Sequence, residues 1–261
     1  MKKILIVLAA GSLVIAAGCS NGAAQDEEKA SQPVVPVEIY ACTYNEGMGP
    51  ADLDAVTAKW NAWADERGLN DYTAWTLTKF YSGPEQEFDF LWLGVSPTAQ
   101  ALGAAQDDWL ATGGEIAAEF EKLGPCDGHS NFAALEFKAP PDRDPPPDNI
   151  VISFSDCNIA EGKSFGDDVA PAIRAWTEYR TETGSEAGRW VLFPAYGGGG
   201  EEFDYKSVTA HENHEAKGVD WDTYSAGGYK KAGELFRGVS KCDSSRVYNA
   251  TNRRRAVEEE E

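Results

Sequence analysis

The sequence predicts an α+β fold in which a β-α-β-β-α-β unit occurs twice along one chain. First, residues 41–48 read ACTYNEGM and residues 156–163 read DCNIAEGK, so a cysteine and a Glu-Gly pair recur 115 positions later. Second, the hydrophobic residues of each copy switch between the period of a strand and that of a helix. Third, residues 139–149 contain five prolines, which separate the copies because proline interrupts helices and central strands.

The repeat keeps its register over about a hundred residues, at offsets of 115 or 116. The matched pairs are Cys42 with Cys157, Glu46-Gly47 with Glu161-Gly162, Asp52 with Asp167, Trp60 with Trp176, Trp63 with Tyr179, Trp75 with Trp190, Trp109 with Tyr224, Phe120 with Phe236 and Cys126 with Cys242. We therefore assign copies at 37–138 and 151–255, a linker at 139–150 and an acidic tail at 256–261. Two copies are too few for a solenoid, so we expect an internal pseudo-dimer and a monomeric chain.

The elements of the first copy follow from local patterns. Leu53, Val56 and Trp60 recur at helical spacing after Asp52, which predicts the first helix. Phe88, Phe90 and Trp92 alternate, which places them on one face of a strand. In full, the predicted elements are a strand over 37–44, a helix from 52, strands over 72–81 and 88–95, a helical stretch over 98–123 broken at Gly113-Gly114, and a strand over 131–138.

The second copy repeats this order, with a helix from Asp167 and strands over 189–196, 203–210 and 246–252. The β-α-β-β-α-β order is that of the split βαβ, or ferredoxin-like, unit. The tandem resembles the dimeric α+β barrel superfamily, whose members pair two such units sheet to sheet. The resemblance implies an intrachain pseudo-dimeric α+β barrel, and it is one of architecture with no residue-level fingerprint of a family.

The N-terminus has the layout of an export signal. Two lysines precede an apolar run from Ile4 to Ala17, too short for a spanning helix. The following Cys19, after Ala-Ala-Gly, resembles the cysteine of a bacterial lipobox, which implies a signal peptide over 1–18 and lipidation of Cys19. Residues 19–36 are small, polar and proline-containing, as in a flexible tether. Ordinary secretion is the alternative.

A lipid anchor would make the membrane a partner and place the protein in the bacterial cell envelope. By resemblance to enterobacterial sorting, Ser20 after Cys19 favours the outer membrane. The formal net charge is −20, and such an acidic surface repels phosphate backbones. We therefore expect no nucleic-acid partner.

The four cysteines after Cys19 are an even set in a chain with an export signal, which favours disulfides over metal thiolates. In a ferredoxin-like unit the first and fourth strands are antiparallel neighbours, so the end of one lies beside the start of the other. This predicts the bonds Cys42–Cys126 and Cys157–Cys242, one in each copy. Crossed pairing between the copies is the alternative.

The two Glu-Gly turns lie between a strand and a helix, where a pocket can open. Asn45, Glu46 and Glu161 are candidate ligand contacts there, as are Asn158 and Lys163, at positions where the copies differ. Asn158 is also favoured because cofactor-free monooxygenases of the resembling superfamily use polar residues in such pockets. The alternative is structural: glycine supplies the positive φ of a turn, and glutamate decorates the start of a helix.

A second candidate site is the pair His211 and His214, followed by Glu215. Histidines three residues apart share one face of a helix, from which they could ligate a metal. The resembling superfamily also includes haem proteins with a histidine ligand. Against this, the copy-one counterparts are Ser96 and Ala99, and exposed histidines without a third ligand are common.

The eight tryptophans could line an apolar cavity, although the core is the more usual place for aromatics at repeat-matched positions. No Ser-His-Asp order, phosphate-binding loop, dinucleotide fingerprint or paired-carboxylate motif occurs, so we predict no catalytic residue and no cofactor. The sequence thus favours an envelope lipoprotein that binds a small ligand or a partner protein. The alternatives are a cofactor-free monooxygenase-like enzyme and a haem or metal binder.

Overall fold

The computed structural model describes residues 34–257. The predicted signal peptide, Cys19, nearly all of the predicted tether and the acidic residues 258–261 lie outside this range. Within 34–257, none of the helices has the length and apolar character needed to span a membrane.

The first half follows the predicted order. Its elements are β1 (Val34–Cys42), α1 (Pro50–Glu66), β2 (Thr73–Tyr81), β3 (Phe90–Val95), α2 (Ala99–Thr112), α3 (Gly114–Leu123) and β4 (Cys126–Lys138). Helix α1 begins two residues before Asp52, because Asp52 reaches back to accept a hydrogen bond from the backbone N–H of Gly49. Strand β4 begins at Cys126 rather than at Asn131, because its N-terminal part pairs with β1.

The second half repeats the order with two π-helical turns added. Its elements are β5 (Asn149–Ile159), a π-helical turn (Phe165–Val169) leading into α4 (Ala170–Glu182), β6 (Gly188–Tyr196), β7 (Tyr205–His211), α5 (His214–Thr223), a second π-helical turn (Tyr224–Gly228), α6 (Tyr229–Phe236), β8 (Ser240–Cys242) and β9 (Arg246–Arg254). The proline-rich residues 139–148 connect β4 to β5.

Eight antiparallel strands close into a barrel, in the order β1-β3-β2-β9-β5-β7-β6-β4 and back to β1. The short strand β8 pairs with the end of β5 outside this ring. The two halves meet along two seams, β2 with β9 and β4 with β6. Closure leaves no long free edge on the eight strands.

The barrel interior is one hydrophobic core shared by both halves. Alternation along β1 points Val37 and Ile39 into this core, while Tyr40 and Cys42 face the helices outside the barrel. Leu77 of the first half and Leu192 of the second half are both buried in the interior core. Neither half therefore buries its sheet without the other.

Disulfides Cys42–Cys126 and Cys157–Cys242 are present, one in each half. Cys42 is opposite Cys126 in the β1–β4 register, and Cys157 is opposite Cys242 in the β5–β8 register. This is the pairing predicted from the sequence.

Candidate functional site

A cavity of about 290 Å³ lies in the first half, between the outer face of the sheet and helices α1, α2 and α3. Four tryptophans line it: Trp60 and Trp63 from α1, Trp92 from β3 and Trp109 from α2. Trp60 and Trp63 lie there because residues three apart share one face of a helix, and that face of α1 packs on the sheet. The core interpretation of these residues was therefore incomplete, since they are packed side chains and cavity walls at once.

The tryptophan rings meet edge to face and so form adjoining walls. The ring centroids of Trp60 and Trp92 are 4.9 Å apart with an interplanar angle of 84°, and those of Trp63 and Trp109 are 5.2 Å apart at 81°. Two indole N–H groups have partners, because Trp63 donates to the hydroxyl of Thr112 and Trp92 to that of Tyr72. The walls are therefore fixed by packing and by hydrogen bonds.

One buried carboxylate, that of Glu38, lies in the cavity wall and is only 5% exposed. Tyr72 donates a hydrogen bond of 2.6 Å to its Oε1, and Gln106 donates one of 3.0 Å to its Oε2. Nε2 of His129 is 3.1 Å from Oε2, and the hydroxyl of Tyr40 is 3.5 Å from the same oxygen. Donors from β1, α2, β4 and the residue preceding β2 thus converge on a single side chain.

These bonds keep Glu38 ionised. Burial raises the pKa of Glu38. Hydrogen bonds from His129, Tyr72 and Gln106 together lower the pKa by more than burial raises it, so the pKa of Glu38 lies below its ordinary value. Burial and the Glu38 charge raise the pKa of both Tyr72 and Tyr40. Glu38 is therefore an acceptor-only carboxylate held by neutral phenols at neutral pH.

Gly94 makes room for this arrangement. It is opposite Glu38 in the β1–β3 register, and a Cβ at Gly94 would collide with the hydroxyl and ring of Tyr72. Any larger residue at Gly94 would displace the donor of the 2.6 Å bond. The contact explains a glycine in the interior of a strand.

The second half does not reproduce the cavity. At the repeat offset Ser153, Ala187 and Ser207 replace Glu38, Tyr72 and Trp92, so the carboxylate, its closest donor and one wall are missing. Its helix–sheet space is instead packed with aromatic rings around Phe165 of the π-helical turn, whose nearest ring centroid, that of Phe193, is 4.6 Å away.

Asn45 and Asn158, proposed as ligand contacts, bind backbone carbonyls instead. Nδ2 of Asn45 donates to the carbonyls of Glu121 and Lys122 at the C-terminal end of α3, at 3.3 and 3.0 Å. Nδ2 of Asn158 donates to the carbonyl of Glu202 at 3.1 Å. Neither side chain lines the cavity. Both tie a loop to a neighbouring segment.

The charged candidates also lie away from the cavity. Glu46 and Glu161 are exposed in their turns, and Lys163 forms an ion pair of 2.9 Å with Asp168. The glycines that follow the two glutamates have φ of 83° and 74°, as the structural interpretation of the turns requires. None of these three charged side chains lines the cavity.

The expectation that His211 and His214 share a helical face is wrong. His211 ends β7 and is buried, with Nε2 2.6 Å from Asp220, whereas His214 begins α5, is exposed and contacts Asn249. Burial and the neighbouring Arg180 lower the pKa of His211 to about 3, so it is a neutral donor to Asp220. Within 34–257, no cluster of three His, Cys, Asp or Glu side chains could hold a metal ion.

The cavity does not fit a haem. Axial haem ligands are histidine, thiolate, methionine or tyrosinate, and the cavity lining includes neither histidine nor methionine. Its two cysteines, Cys42 and Cys126, form a disulfide, and its two tyrosines, Tyr40 and Tyr72, have raised pKa values that disfavour a phenolate.

The polar cluster of Glu38, Tyr72, Gln106 and His129 was missed by the sequence analysis. One signal was present: Glu38 is the single charged residue in the otherwise apolar stretch VVPVEIYAC, and it lies at a position where the strand alternation faces the helices. The donors come from three other segments, and only the tertiary fold brings them together.

No family model matches the sequence, and no curated protein matches it. Solved structures do match the fold. A chlorite dismutase-like protein aligns with a TM-score of 0.52 at 10% identity, covering 84% of this chain and 96% of the other. A monooxygenase-like protein from Lactobacillus acidophilus NCFM aligns with a TM-score of 0.53 at 10% identity, covering 85% and 95%.

An anthrone oxidase-like protein also aligns, with a TM-score of 0.50 at 11% identity, covering 87% of this chain and 96% of the other. At such identities the likeness concerns the fold alone. All three proteins share with this chain an α+β architecture whose sheet closes into a barrel.

Proposed function

We propose that this chain, which has the dimeric α+β barrel fold, binds one small organic molecule in the cavity of its first half. The observation that carries the proposal is the cavity of about 290 Å³, which has aromatic walls and one buried ionised carboxylate. Binding sites for small molecules are typically concave, mostly apolar pockets with a few fixed polar groups. A packed core would instead fill this space, as the second half does around Phe165.

The two halves are, in this proposal, ferredoxin-like repeats that have diverged in function. The strand order fourth-first-third-second in each half supports this origin. One repeat kept or gained a cavity, while the other became a packed partner that closes the barrel. The domain assignment 37–138 and 151–255, with a linker at 139–150, belongs to the same proposal, as does the monomeric state.

We also propose that the protein acts in the bacterial cell envelope, held by a lipid on Cys19 after removal of residues 1–18. The sequence pattern of residues 1–19 supports this assignment. A tether between Cys19 and the start of β1 at Val34 would let the barrel sample ligands near the membrane. An envelope protein remains an additional candidate partner.

The binding proposal is tested with N-phenyl-1-naphthylamine, a neutral dye that fluoresces in apolar surroundings. Ala117 lines the cavity, and Ala118, its neighbour on α3, is exposed. We expect the dye to bind the wild type and Ala118→Phe equally, and to bind Ala117→Phe at least tenfold more weakly, because a phenyl ring would occupy the cavity. Equal binding by all three proteins would refute a site in this cavity.

A second candidate is oxidation of a phenolic substrate by oxygen in the same cavity. The names of the monooxygenase-like and anthrone oxidase-like neighbours favour it, together with the Glu38–His129 pair, in which a carboxylate contacts an imidazole. An oxygen electrode with a hydroquinone separates the two candidates. Oxygen uptake that Glu38→Gln abolishes would favour the enzyme, and uptake equal to the protein-free rate would favour the binder.

A further inference from the structure

We infer that the ligand is a small organic cation with a weakly hydrated head, of the quaternary ammonium class. The inference rests on the proposed binding function and deepens it. Its first support is the charge of Glu38, which no lysine or arginine in residues 34–257 pairs with. Within 34–257, the only cationic side chain within ion-pair distance of this carboxylate is that of His129, which is 44% exposed and charged only when protonated.

The other partners of Glu38 are neutral. Tyr72, Gln106 and Tyr40 stabilise the carboxylate through dipoles, but they do not cancel its negative charge. A buried charge without a counter-ion is costly, so it is more often paired.

The second support is the chemistry of the walls. The faces of indole rings carry negative potential and attract cations, and tryptophan is the strongest of the aromatic side chains in this respect. Four tryptophans line the cavity, and the Trp60–Trp92 and Trp63–Trp109 ring pairs are close to perpendicular. Perpendicular walls can contact the methyl groups of a trimethylammonium head from several sides.

The third support is the charge of the rest of the lining. Within the described part of the chain, no lysine or arginine lines the cavity, and the other charged residue in the lining is the exposed Glu121. The guanidinium of Arg254 lies 6.0 Å from the ring centroid of Trp60, but it is paired with Asp65 at 2.7 Å. The cavity therefore disfavours anions, and a cationic ligand gains a Coulomb attraction to the carboxylate that a neutral ligand does not.

A quaternary ammonium suits this environment better than a primary amine or an alkali ion. Its charge is spread over methyl groups, so that it loses less hydration on entering an apolar cavity. Its methyl groups also gain the contact area that the aromatic walls provide.

Two matched probe pairs test the inference by titration calorimetry on the purified protein. Choline is paired with 3,3-dimethyl-1-butanol, and benzyltrimethylammonium with neopentylbenzene; each pair differs by nitrogen against carbon. We expect at least one cation to bind at least tenfold more tightly than its neutral partner. Glu38→Gln removes the charge at nearly constant size, and we expect it to abolish this preference.

Trp109→Leu removes one wall, and its matched control is Trp221→Leu, at a tryptophan of the second half that is 65% exposed. We expect Trp109→Leu to weaken binding of the cation at least fivefold and Trp221→Leu to leave the affinity unchanged. Binding of N-phenyl-1-naphthylamine to each variant reports whether the cavity is folded.

Failure of the cation inference and failure of the proposed function give different results. If the dye binds but neither cation exceeds its neutral partner, the cation inference is overturned and the proposed binding function stands. The cation inference alone is likewise overturned if Glu38→Gln binds the dye and still prefers the cation. If the dye and all four probes fail to bind the wild type, both the inference and the proposed function are overturned.

Discussion

At the scale of single residues, the site depends on one carboxylate and on one glycine opposite it. Glu38 would be an unfavourable residue on a buried face without its donors, and Tyr72 could not reach it if Gly94 carried a side chain. The repeat predicts neither fact, because Ser153 and Thr209 occupy the corresponding positions of the second copy. The substitutions that distinguish the halves are thus the ones that build the site.

Tyr72→Phe should show how much the carboxylate depends on its closest donor. A hydrogen bond to a charged group contributes about 1.5–3 kcal/mol, so we expect a loss of about that size in the free energy of unfolding at pH 7. The lowered pKa of Glu38 contributes stability above its unfolded-state pKa, which is lost as the pH falls through its folded-state pKa. The penalty should therefore shrink at acidic pH.

Urea unfolding of the wild type and the Tyr72→Phe variant, at pH 7 and in the acidic range, measures the loss in the free energy of unfolding at each pH. The control is Tyr196→Phe, because Tyr196 is 79% exposed. An equal penalty at both pH values would mean that Tyr72 stabilises the fold by packing rather than through the charge of Glu38.

His211 should make the protein sensitive to mild acid. Its pKa is lowered from 6.5 to about 3 by burial and by the neighbouring Arg180, so the unfolded chain binds the proton more readily than the folded one. Stability from the neutral imidazole is therefore present above pH 6.5 and is lost progressively below it. His211→Gln keeps a donor for Asp220 but does not titrate.

We expect the stability of wild type relative to His211→Gln to fall between about pH 7 and about pH 5, as measured by urea unfolding. His214→Gln is the control, since His214 is exposed. A wild-type advantage that does not change with pH would contradict a neutral buried His211.

At the scale of elements, the strands and helices follow local patterns, and the disulfides follow strand order. Period-two and helical spacing predicted the order of elements in the first copy, and the antiparallel neighbourhood of first and fourth strands predicted both bonds. The observed ends of elements differ from the predicted ends where a helix cap or a pairing strand sets them. Examples are the start of α1, set by the Asp52 cap, and the start of β4, set by the pairing of Cys126. His211 joined a strand rather than a helix, because β7 pairs with β5 up to that residue.

The two disulfides should contribute nearly equal stability. They close loops with sequence separations of 84 and 85, for which the chain-entropy model gives about 4–5 kcal/mol each. We expect the double variants Cys42→Ser/Cys126→Ser and Cys157→Ser/Cys242→Ser to lose similar amounts in urea unfolding. Because the loops match, each variant controls for the other. A difference of more than about 2 kcal/mol would show that local packing outweighs loop entropy.

At the scale of the whole molecule, barrel closure makes the two halves one cooperative unit. The interior core takes side chains from both, and the β2–β9 and β4–β6 seams hydrogen-bond them together. The half without the cavity is therefore needed to support the half that has it. A substitution that destabilises the barrel face of the second half should therefore also lower the stability of the first half, which contains the cavity tryptophans.

Leu192→Ala tests this coupling. Leu192 is 3% exposed in the interior core, and such a truncation costs about 2–5 kcal/mol. We expect the unfolding midpoints from tryptophan fluorescence and from far-UV circular dichroism to fall together, in one transition. Leu110→Ala is the control, because Leu110 is 82% exposed. Two separated transitions would show that the halves unfold independently.

The sequence by itself predicted the order of strands and helices and favoured the observed pairing of the four cysteines over crossed pairing, since both depend on periodicity and on strand order. Only the tertiary structure decided which half keeps a cavity. A cavity is the difference between the space that several elements enclose and the volume of the side chains that enter it. Trp60 and Trp176 match in sequence, yet only Trp60 lines the large cavity, because Phe165 and its neighbours fill the other half.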